Sequence, residues 1–317
     1  MIINFISYLD PFVHSGGGEQ ITKTLITEGI RRGHNITRCH QNPLSRNYKS
    51  EADLNIFWDV VNCPEWGNQF NYNELLSLSR DKSYICGTGG YEELCALGTL
   101  PCSANTDGII CNIPNTHPTF GVGGINRPHP KMCQAKSRSI MYKNAKICFF
   151  ASNLHKDKTE KMVGKVNSSV FIPPVNNMDS YKNMNLIRDI DILSYGGHLE
   201  YKGFFNIKSM FPNKSPIFIG GGAPDLPIKY NYGKFAGKIE QSKMPELLNR
   251  TKTFVHLPRW PEPFGITTLQ AKLCGCEVIE NENSTVLKNE NIDEYLIEIK
   301  RWENCSPIWD KIENVKN

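Results

Sequence analysis

The chain reads as an α/β protein of two domains, each built on an open parallel sheet. Three observations predict this. Short apolar, strand-like runs alternate with helix-like stretches along the chain. A polar segment led by two prolines, Pro173-Pro-Val-Asn-Asn-Met-Asp-Ser-Tyr-Lys-Asn-Met184, breaks that alternation near the middle and reads as an interdomain linker. A length of 317 residues is long for one domain and comfortable for two. The expected domains are 1–174 and 185–290, with the segment 291–317 as terminal helices.

The elements follow in order. Ile2–Ser7 is a strand, leading through the glycines Gly16–Gly18 to a helix from about Glu19 to Arg32. Strands are expected at Asn35–His40, Leu54–Val60 and Ser83–Cys86. Gly87 to Pro130 is rich in Gly, Pro, Asn and Thr and reads as long loops. After the linker a second series of strands is expected at Asp191–Tyr195, Pro216–Ile219, Lys234–Ala236, Thr253–His256 and Glu277–Glu280. The charged tail carries Tyr295, Leu296, Ile299, Trp302 and Trp309 at intervals suited to buried helix faces.

Composition narrows the function classes. Hydrophobic content of 39% with 21% charged residues describes a globular protein rather than a fibrous or disordered one. The net charge of +4 comes from scattered Lys and Arg, so nucleic-acid binding is neither demanded nor excluded. No segment has the length of a membrane helix. The apolar start, Met1 to Leu9, lacks a basic leader and runs into Asp10-Pro11, so it reads as a buried strand rather than a signal peptide. The 11 cysteines, an odd number spread from Cys39 to Cys305, suit a reduced cytoplasmic chain. Cys86, Cys95, Cys102 and Cys111 lack the close pairing of zinc ligands, and no metal is expected there.

The most informative stretch is Pro258-Arg-Trp-Pro-Glu-Pro-Phe-Gly-Ile-Thr-Thr-Leu-Gln-Ala-Lys-Leu-Cys-Gly-Cys-Glu-Val-Ile279. It predicts a loop stiffened around Glu262 by Pro261 and Pro263, then a helix from about Gly265 with Ile266, Leu269 and Leu273 on one face. Gly275 predicts a turn and Glu277–Glu280 a strand. A helix N-terminus at Phe264, Gly265 and Ile266 offers free N–H groups and a partial positive charge, which suits a phosphate. Glu262 beside it is a hydroxyl acceptor. The two together suit a sugar nucleotide, and an ordinary αβ unit with a solvated Glu262 fits the segment equally well.

Pro-Glu-Pro-Phe-Gly followed by a helix and Cys-Gly-Cys-Glu-Val-Ile resembles the donor-site signature of retaining two-Rossmann-domain (GT-B) glycosyltransferases, the large family that includes sucrose and glycogen synthases. The family pattern is Glu-x7-Glu; here the first position is Glu262 and the second is Gln270. Other segments resemble the family's in the same order: Gly16-Gly-Gly-Glu19 with Arg31-Arg-Gly-His34; Ala145 to Ser152 with His155-Lys-Asp157; Val170 to Val175; Tyr195-Gly-Gly-His-Leu199 with Lys202-Gly203; Phe218-Ile-Gly-Gly-Gly222; and Phe235-Ala-Gly237. The resemblance spans residues 1 to about 280.

The resemblance implies two Rossmann-like domains with a cleft between them, the acceptor on the first, the donor on the second, and last helices that cross back over the first. Lys202 matches the diphosphate-binding lysine, and as a loop residue its removal is expected to leave folding intact. His198 stands where the family usually has an arginine and cannot reproduce a bidentate guanidinium. Gly17 and Gly18 would let backbone approach the donor or acceptor. Ile239, just after Phe235-Ala-Gly237, would meet the base through its backbone. His117 is the first-domain candidate for catalysis, with His14 and His129 behind it.

Asp189-Ile-Asp191 resembles a metal-binding D-x-D but stands at the start of an expected strand, so no metal is assigned to it. The expected activity is transfer of a sugar, with retention and without a metal or other cofactor, from a nucleoside-diphosphate donor, a UDP-sugar, to a hydroxyl. The expected acceptor is a saccharide, with a modified DNA base as the minority reading. Gln270 and His198 motivate two alternatives, a nucleotide-sugar-binding protein with weakened catalysis and a sugar-nucleotide epimerase of the same architecture.

Overall fold

A computed structural model describes residues 1–7, 10–13, 17–40, 47–60, 77, 83–90, 135–175, 177–195, 202–220, 225–258, 262–284 and 292–315. The chain divides into two compact units. One holds the described residues of 1–113, 129–174 and 290–317, the other those of 175–289.

In the first unit the order is β1 (Ile2–Ser7), α1 (Gly17–Arg31), β2 (Asn35–His40), β3 (Leu54–Trp58), β4 (Tyr84–Thr88), α2 (Ala135–Asn144), β5 (Cys148–Phe150), α3 (Asn153–Val163) and β6 (Ser168–Val170). These strands form a parallel six-stranded sheet in the order β2-β1-β3-β4-β5-β6. All of Leu54–Trp58 and all of Tyr84–Thr88 are buried, as a parallel strand covered on both faces requires. The buried amides Asn4 and Asn55 satisfy each other, with Asn4 Nδ2 donating to Asn55 Oδ1 at 3.0 Å. β4 runs on through Gly87 and Thr88, two residues that sequence composition assigned to the following loop region.

The second unit runs β7 (Ile190–Tyr195), α4 (Phe204–Met210), β8 (Ile217–Ile219), α5 (Asp225–Lys229), β9 (Lys234–Gly237), α6 (Met244–Asn249), β10 (Thr251–His256), α7 (Ile266–Leu273) and β11 (Glu277–Glu280). Its sheet is also parallel, in the order β11-β10-β7-β8-β9. Strand alternation sends neighbouring residues to opposite faces. Leu193, Ile219 and Phe254 pack with Met244, Leu248 and Ala271 on one face. Ile192, Phe218 and Val255 pack with Phe204, Ile207 and Tyr232 on the other. The result is a sheet with helices on both faces, the Rossmann-like arrangement.

The segment expected to be a linker is not loose chain. Met178 and Tyr181 are buried. Asn249 holds the segment from α6, its Nδ2 donating to Lys182 O at 2.9 Å and its Oδ1 accepting from Met184 N at 2.6 Å. Tyr181 joins the Phe254 face of the second sheet. An apolar side chain at each of these positions outweighs the polar composition around them.

The chain ends in α8 (Ile292–Trp302) and α9 (Ser306–Asn314), both in the first unit. α9 packs on α1. Trp309 Nε1 donates to Leu25 O at 2.8 Å, and the indole lies so close to Gly29 that a Cβ there would come within 2.2 Å of it. Arg32 ties the same helices together, reaching Glu28 and Glu313 at 2.9 Å each. Among the described residues no helix is long and apolar enough to cross a membrane.

Candidate active site

The strand order of the second unit decides where a ligand site belongs. Read from its other edge, β9-β8-β7-β10-β11, the sheet winds outward in both directions from the β7–β10 boundary. β7 and β10 therefore end side by side where the strand order reverses, with α4 on one face of the sheet and α7 on the other, the place where α/β sheets bind ligands. Lys202 lies on the segment between β7 and α4, and Glu262 on the segment between β10 and α7. Chain segments 60 residues apart are thus brought into contact: Lys202 Nζ donates to Glu262 Oε1 at 2.7 Å and to Oε2 at 2.9 Å.

The backbone that carries Lys202 depends on the next residue. Gly203 has φ +97°, and a Cβ there would lie 2.0 Å from Leu257 O, at the end of β10. Only glycine lets the lysine loop lie on the strand that leads to Glu262. Asn206 Nδ2 adds a bond to the same Leu257 carbonyl at 3.0 Å.

The Glu262 loop is held from its other side by residues that follow β11. Glu262 N donates to Asn283 O at 2.7 Å, and Asn281 Nδ2 and Asn283 Nδ2 both donate to Pro258 O, at 2.9 and 3.1 Å. Glu262 is only 9% exposed. Burial opposes its ionisation, but the Lys202 charge, with His256 nearby, outweighs burial and holds the carboxyl well below the usual range. His256 ends β10, with Nε2 3.5 Å from Glu262 Oε2.

α7 begins directly after this loop. Gly265 occupies the cap position and brings no side chain of its own to the first turn, where Ile266 N donates to Phe264 O at 3.1 Å. Phe264, Gly265 and Ile266 therefore stand where the sequence put them, at a helix start beside Glu262. Gln270 is one turn further on and is buried, like Glu262. Ile239 follows β9 and its side chain packs against the Leu193–Phe254 cluster, which leaves only its backbone for a ligand.

Asp189 and Asp191 are at the opposite end of this sheet, where β7 starts. Arg250 grips Asp189 through Nε at 2.9 Å and NH2 at 2.5 Å, and Lys252 Nζ meets Asp191 at 2.5 Å. Both carboxylates are thus neutralised by the start of β10, a strand's length from Lys202 and Glu262. Among the described residues no group of three or more His, Cys, Asp or Glu is arranged to hold a metal ion.

In the first unit Gly17 and Gly18 begin α1, just beyond β1. A Cβ on Gly18 would lie 3.5 Å from Asp59 Oδ2, and Asp59 Oδ1 accepts from Gly89 N at 2.7 Å. Next to Gly89, Gly90 O is held by His155 Nε2 at 3.0 Å. His155 is wholly buried, and burial pushes it down to about 3 against that hydrogen bond, which works the other way. It is therefore a neutral strut for the segment after β4. His117, His14, His129, His198 and Gly16 lie outside the described residues.

No known protein-family profile matches the chain, and no curated protein does. Solved structures do. Anabaena Alr3699/HepE in complex with UDP-glucose aligns with 14% identity over 100% of this chain and 92% of that one, TM-score 0.56. A glycosyltransferase from Rickettsia africae ESF-5 aligns with 13% identity over 99% of this chain and 92% of that one, TM-score 0.52. An alpha-glucosyltransferase in complex with UDP and a 13-mer DNA containing a HMU base aligns with 11% identity over 100% of this chain and 94% of that one, TM-score 0.50. The fold is that of the GT-B glycosyltransferases. The GT-B architecture of two Rossmann-like domains accounts for both sheets.

Several residues of the site carry no signal in the sequence. His256, Asn281 and Asn283 are ordinary strand-end and turn residues there, and nothing in the sequence says that they converge on the Glu262 loop. Gly203 alone had a cue, as the glycine after the matched lysine.

Proposed function

We propose that the protein transfers a sugar from a nucleoside-diphosphate donor, a UDP-sugar, to a hydroxyl group, with retention at the anomeric carbon and without a metal ion. The observation that carries this is the Lys202–Glu262 pair at the switch point of the second sheet. Lys202 neutralises the diphosphate as it leaves, the role that a metal ion fills elsewhere. Glu262, ionised by that lysine, accepts hydrogen bonds from the donor's sugar hydroxyls. The amides at the start of α7 face the phosphates. The UDP and UDP-glucose bound by proteins of the same fold support the donor class.

A saccharide is the proposed acceptor, and the first unit, with Gly17 and Gly18, its site; His117, the sequence candidate for catalysis, lies outside the described residues. A reducing cytoplasm is the proposed location, in keeping with the buried free thiols of Cys39, Cys86, Cys148, Cys274, Cys276 and Cys305. Thermal stabilisation by a panel of nucleotide sugars, read with UDP release in the presence of oligosaccharides or hydroxymethylated DNA, tests the proposal. Stabilisation by UDP-sugars and acceptor-dependent UDP release are expected. Conversion of the donor to its epimer without acceptor would replace transfer by epimerisation, and stabilisation without turnover by binding alone.

A further inference from the structure

The first unit has a switch point of its own. In the order β2-β1-β3-β4-β5-β6 the chain steps from β1 to β2 on one side and then builds outward from β3 on the other, so the strand order reverses between β1 and β3. The connection from β1 to α1 leaves the sheet there, where α/β sheets bind ligands. Phe12 and Val13 lie on this connection, which ends at Gly17 and Gly18.

Phe12 is 42% exposed and Val13 76%. Single apolar side chains on a surface are ordinary, but this ring is built in. Asp10 pins its turn: Oδ1 accepts from Phe12 N at 3.0 Å, and the Asp10 carbonyl accepts from Val13 N at 3.1 Å. The same Oδ1 accepts from Arg38 Nη1 at 2.9 Å, and His40 Nε2 stands 3.4 Å from Oδ2. Arg38 reaches over from β2 and sets its guanidinium carbon 4.5 Å from the centre of the Phe12 ring. Lys23 reaches over from α1 and sets Nζ 5.4 Å from it. Three segments thus converge on one exposed aromatic ring and bring two cations to it. Asp10 supplies one negative charge against those two, and Lys23 makes no ion pair among the described residues.

Such a surface suits a ligand with an apolar face and a negative charge. A sugar ring lays its C–H face on an aromatic ring, and a carboxylate or phosphate on that sugar answers the cations. A polynucleotide also stacks and is also anionic, but it is held along its backbone by a run of cations. Two cations, in a chain whose Lys and Arg are scattered and whose net charge is +4, favour the saccharide. We propose, on the reading of the first unit as the acceptor side, that the acceptor is an acidic saccharide: its ring lies on Phe12, and Lys23 and Arg38 hold its carboxylate or phosphate.

The test compares tetragalacturonate, its carboxyl-reduced neutral counterpart, a phosphorylated tetrasaccharide and a hydroxymethylated DNA oligomer. Each is titrated by calorimetry without donor and then offered as acceptor with a UDP-sugar. The acidic saccharides should bind roughly tenfold more tightly than the neutral one at low salt, and the gap should close at high salt. Lys23→Glu, at an exposed position, should cost the acidic saccharides roughly fivefold or more in affinity and in KM, and leave the neutral saccharide, UDP affinity and melting temperature unchanged. Phe12→Ala should weaken every saccharide. Acidic and neutral saccharides bound equally well, or an acidic preference that survives Lys23→Glu, would overturn the proposal, and acceptor-dependent UDP release would still leave the proposed activity standing. Preference for the DNA oligomer would replace the saccharide by nucleic acid. Acidic saccharide bound in calorimetry, without transfer from any UDP-sugar, would uphold the site and overturn the activity.

Discussion

Replacing Lys202 by alanine is expected to weaken the ligand-free protein itself, beyond any effect on a reaction. Lys202 Nζ lies 2.7 and 2.9 Å from the two oxygens of Glu262, and the two side chains are 21% and 11% exposed. Burial alone would raise the Glu262 carboxyl; the lysine, helped by His256, reverses this. Without the lysine, a charged carboxylate is left where charge is disfavoured. Truncating one member of a fully buried pair costs about 3–5 kcal/mol, and because this pair keeps some solvent about 2 kcal/mol is expected at pH 7. The pH dependence gives the mechanism a second signature. In the wild type the folded-state pKa of Glu262 is below its unfolded value. Its contribution is present above the ordinary carboxylate range and is lost as pH falls through the folded value. In Lys202→Ala, burial raises the folded value above the unfolded one, so the native state takes the proton first. The penalty should therefore fade as pH falls through that raised value toward the ordinary carboxylate range near 4.3, and below it the wild type loses its own contribution. Urea unfolding of the wild type, Lys202→Ala, Glu262→Gln and the double variant, at pH 7 and pH 4, closes a double-mutant cycle. A coupling of about 2 kcal/mol at pH 7 that shrinks at pH 4 is expected. Single variants within about 0.5 kcal/mol of wild type at pH 7 would refute the reasoning and make this an ordinary surface pair.

Gly203→Ala should cost about 3 kcal/mol or more, since it adds left-handed strain to a clash with Leu257 O, and should abolish UDP binding; an unchanged melting temperature with intact binding would contradict the packing argument. His155, pushed down to about 3 by burial, contributes stability that is fully present above its unfolded value near 6.5 and is lost as pH falls from there toward its folded value. His155→Gln should remove up to about 1.4 kcal/mol per pH unit from the slope of stability between pH 6 and pH 4, and equal slopes in urea titrations would show that the ring charges without penalty. Asp189→Asn with Asp191→Asn should leave UDP-sugar turnover within about twofold and insensitive to EDTA, because losing an exposed ion pair costs little; a loss that manganese restores would reinstate the pair as metal ligands.

Much of the secondary structure was legible because its signals are local. β11 spans the residues expected of it, Glu277–Glu280, and Gly275 turns the chain after α7 with φ +76°. β1, β2 and β7 begin at or within a residue of expectation, since short apolar runs bounded by turn residues identify buried strands. α2 left no such mark: Ile140, Met141 and Tyr142 are consecutive rather than three or four apart, and only Met141 and Tyr142 of the three are buried. The helix face of α7 differs in detail, because Thr268, Leu269, Gln270 and Ala271 are its buried residues while Ile266 and Leu273 are half-buried. A crossover helix close under a sheet covers more of its surface than one apolar stripe.

By itself the sequence determined the alternation of strands and helices, the helix start after Glu262 and, through the order of its motifs, the choice of Lys202 and Glu262. Only the tertiary structure decided that β7 and β10 are neighbours, that Lys202 neutralises Glu262 rather than standing in solvent, that the Asp189–Asp191 pair sits at the opposite end of the sheet, and that His256 ends β10 3.5 Å from the buried carboxylate. The reason is physical. Strand and helix periodicity is set by dihedral preferences over a few residues, whereas the charge state of Glu262 is set by a lysine 60 residues away and by the exclusion of water, and both exist only once the sheet has assembled.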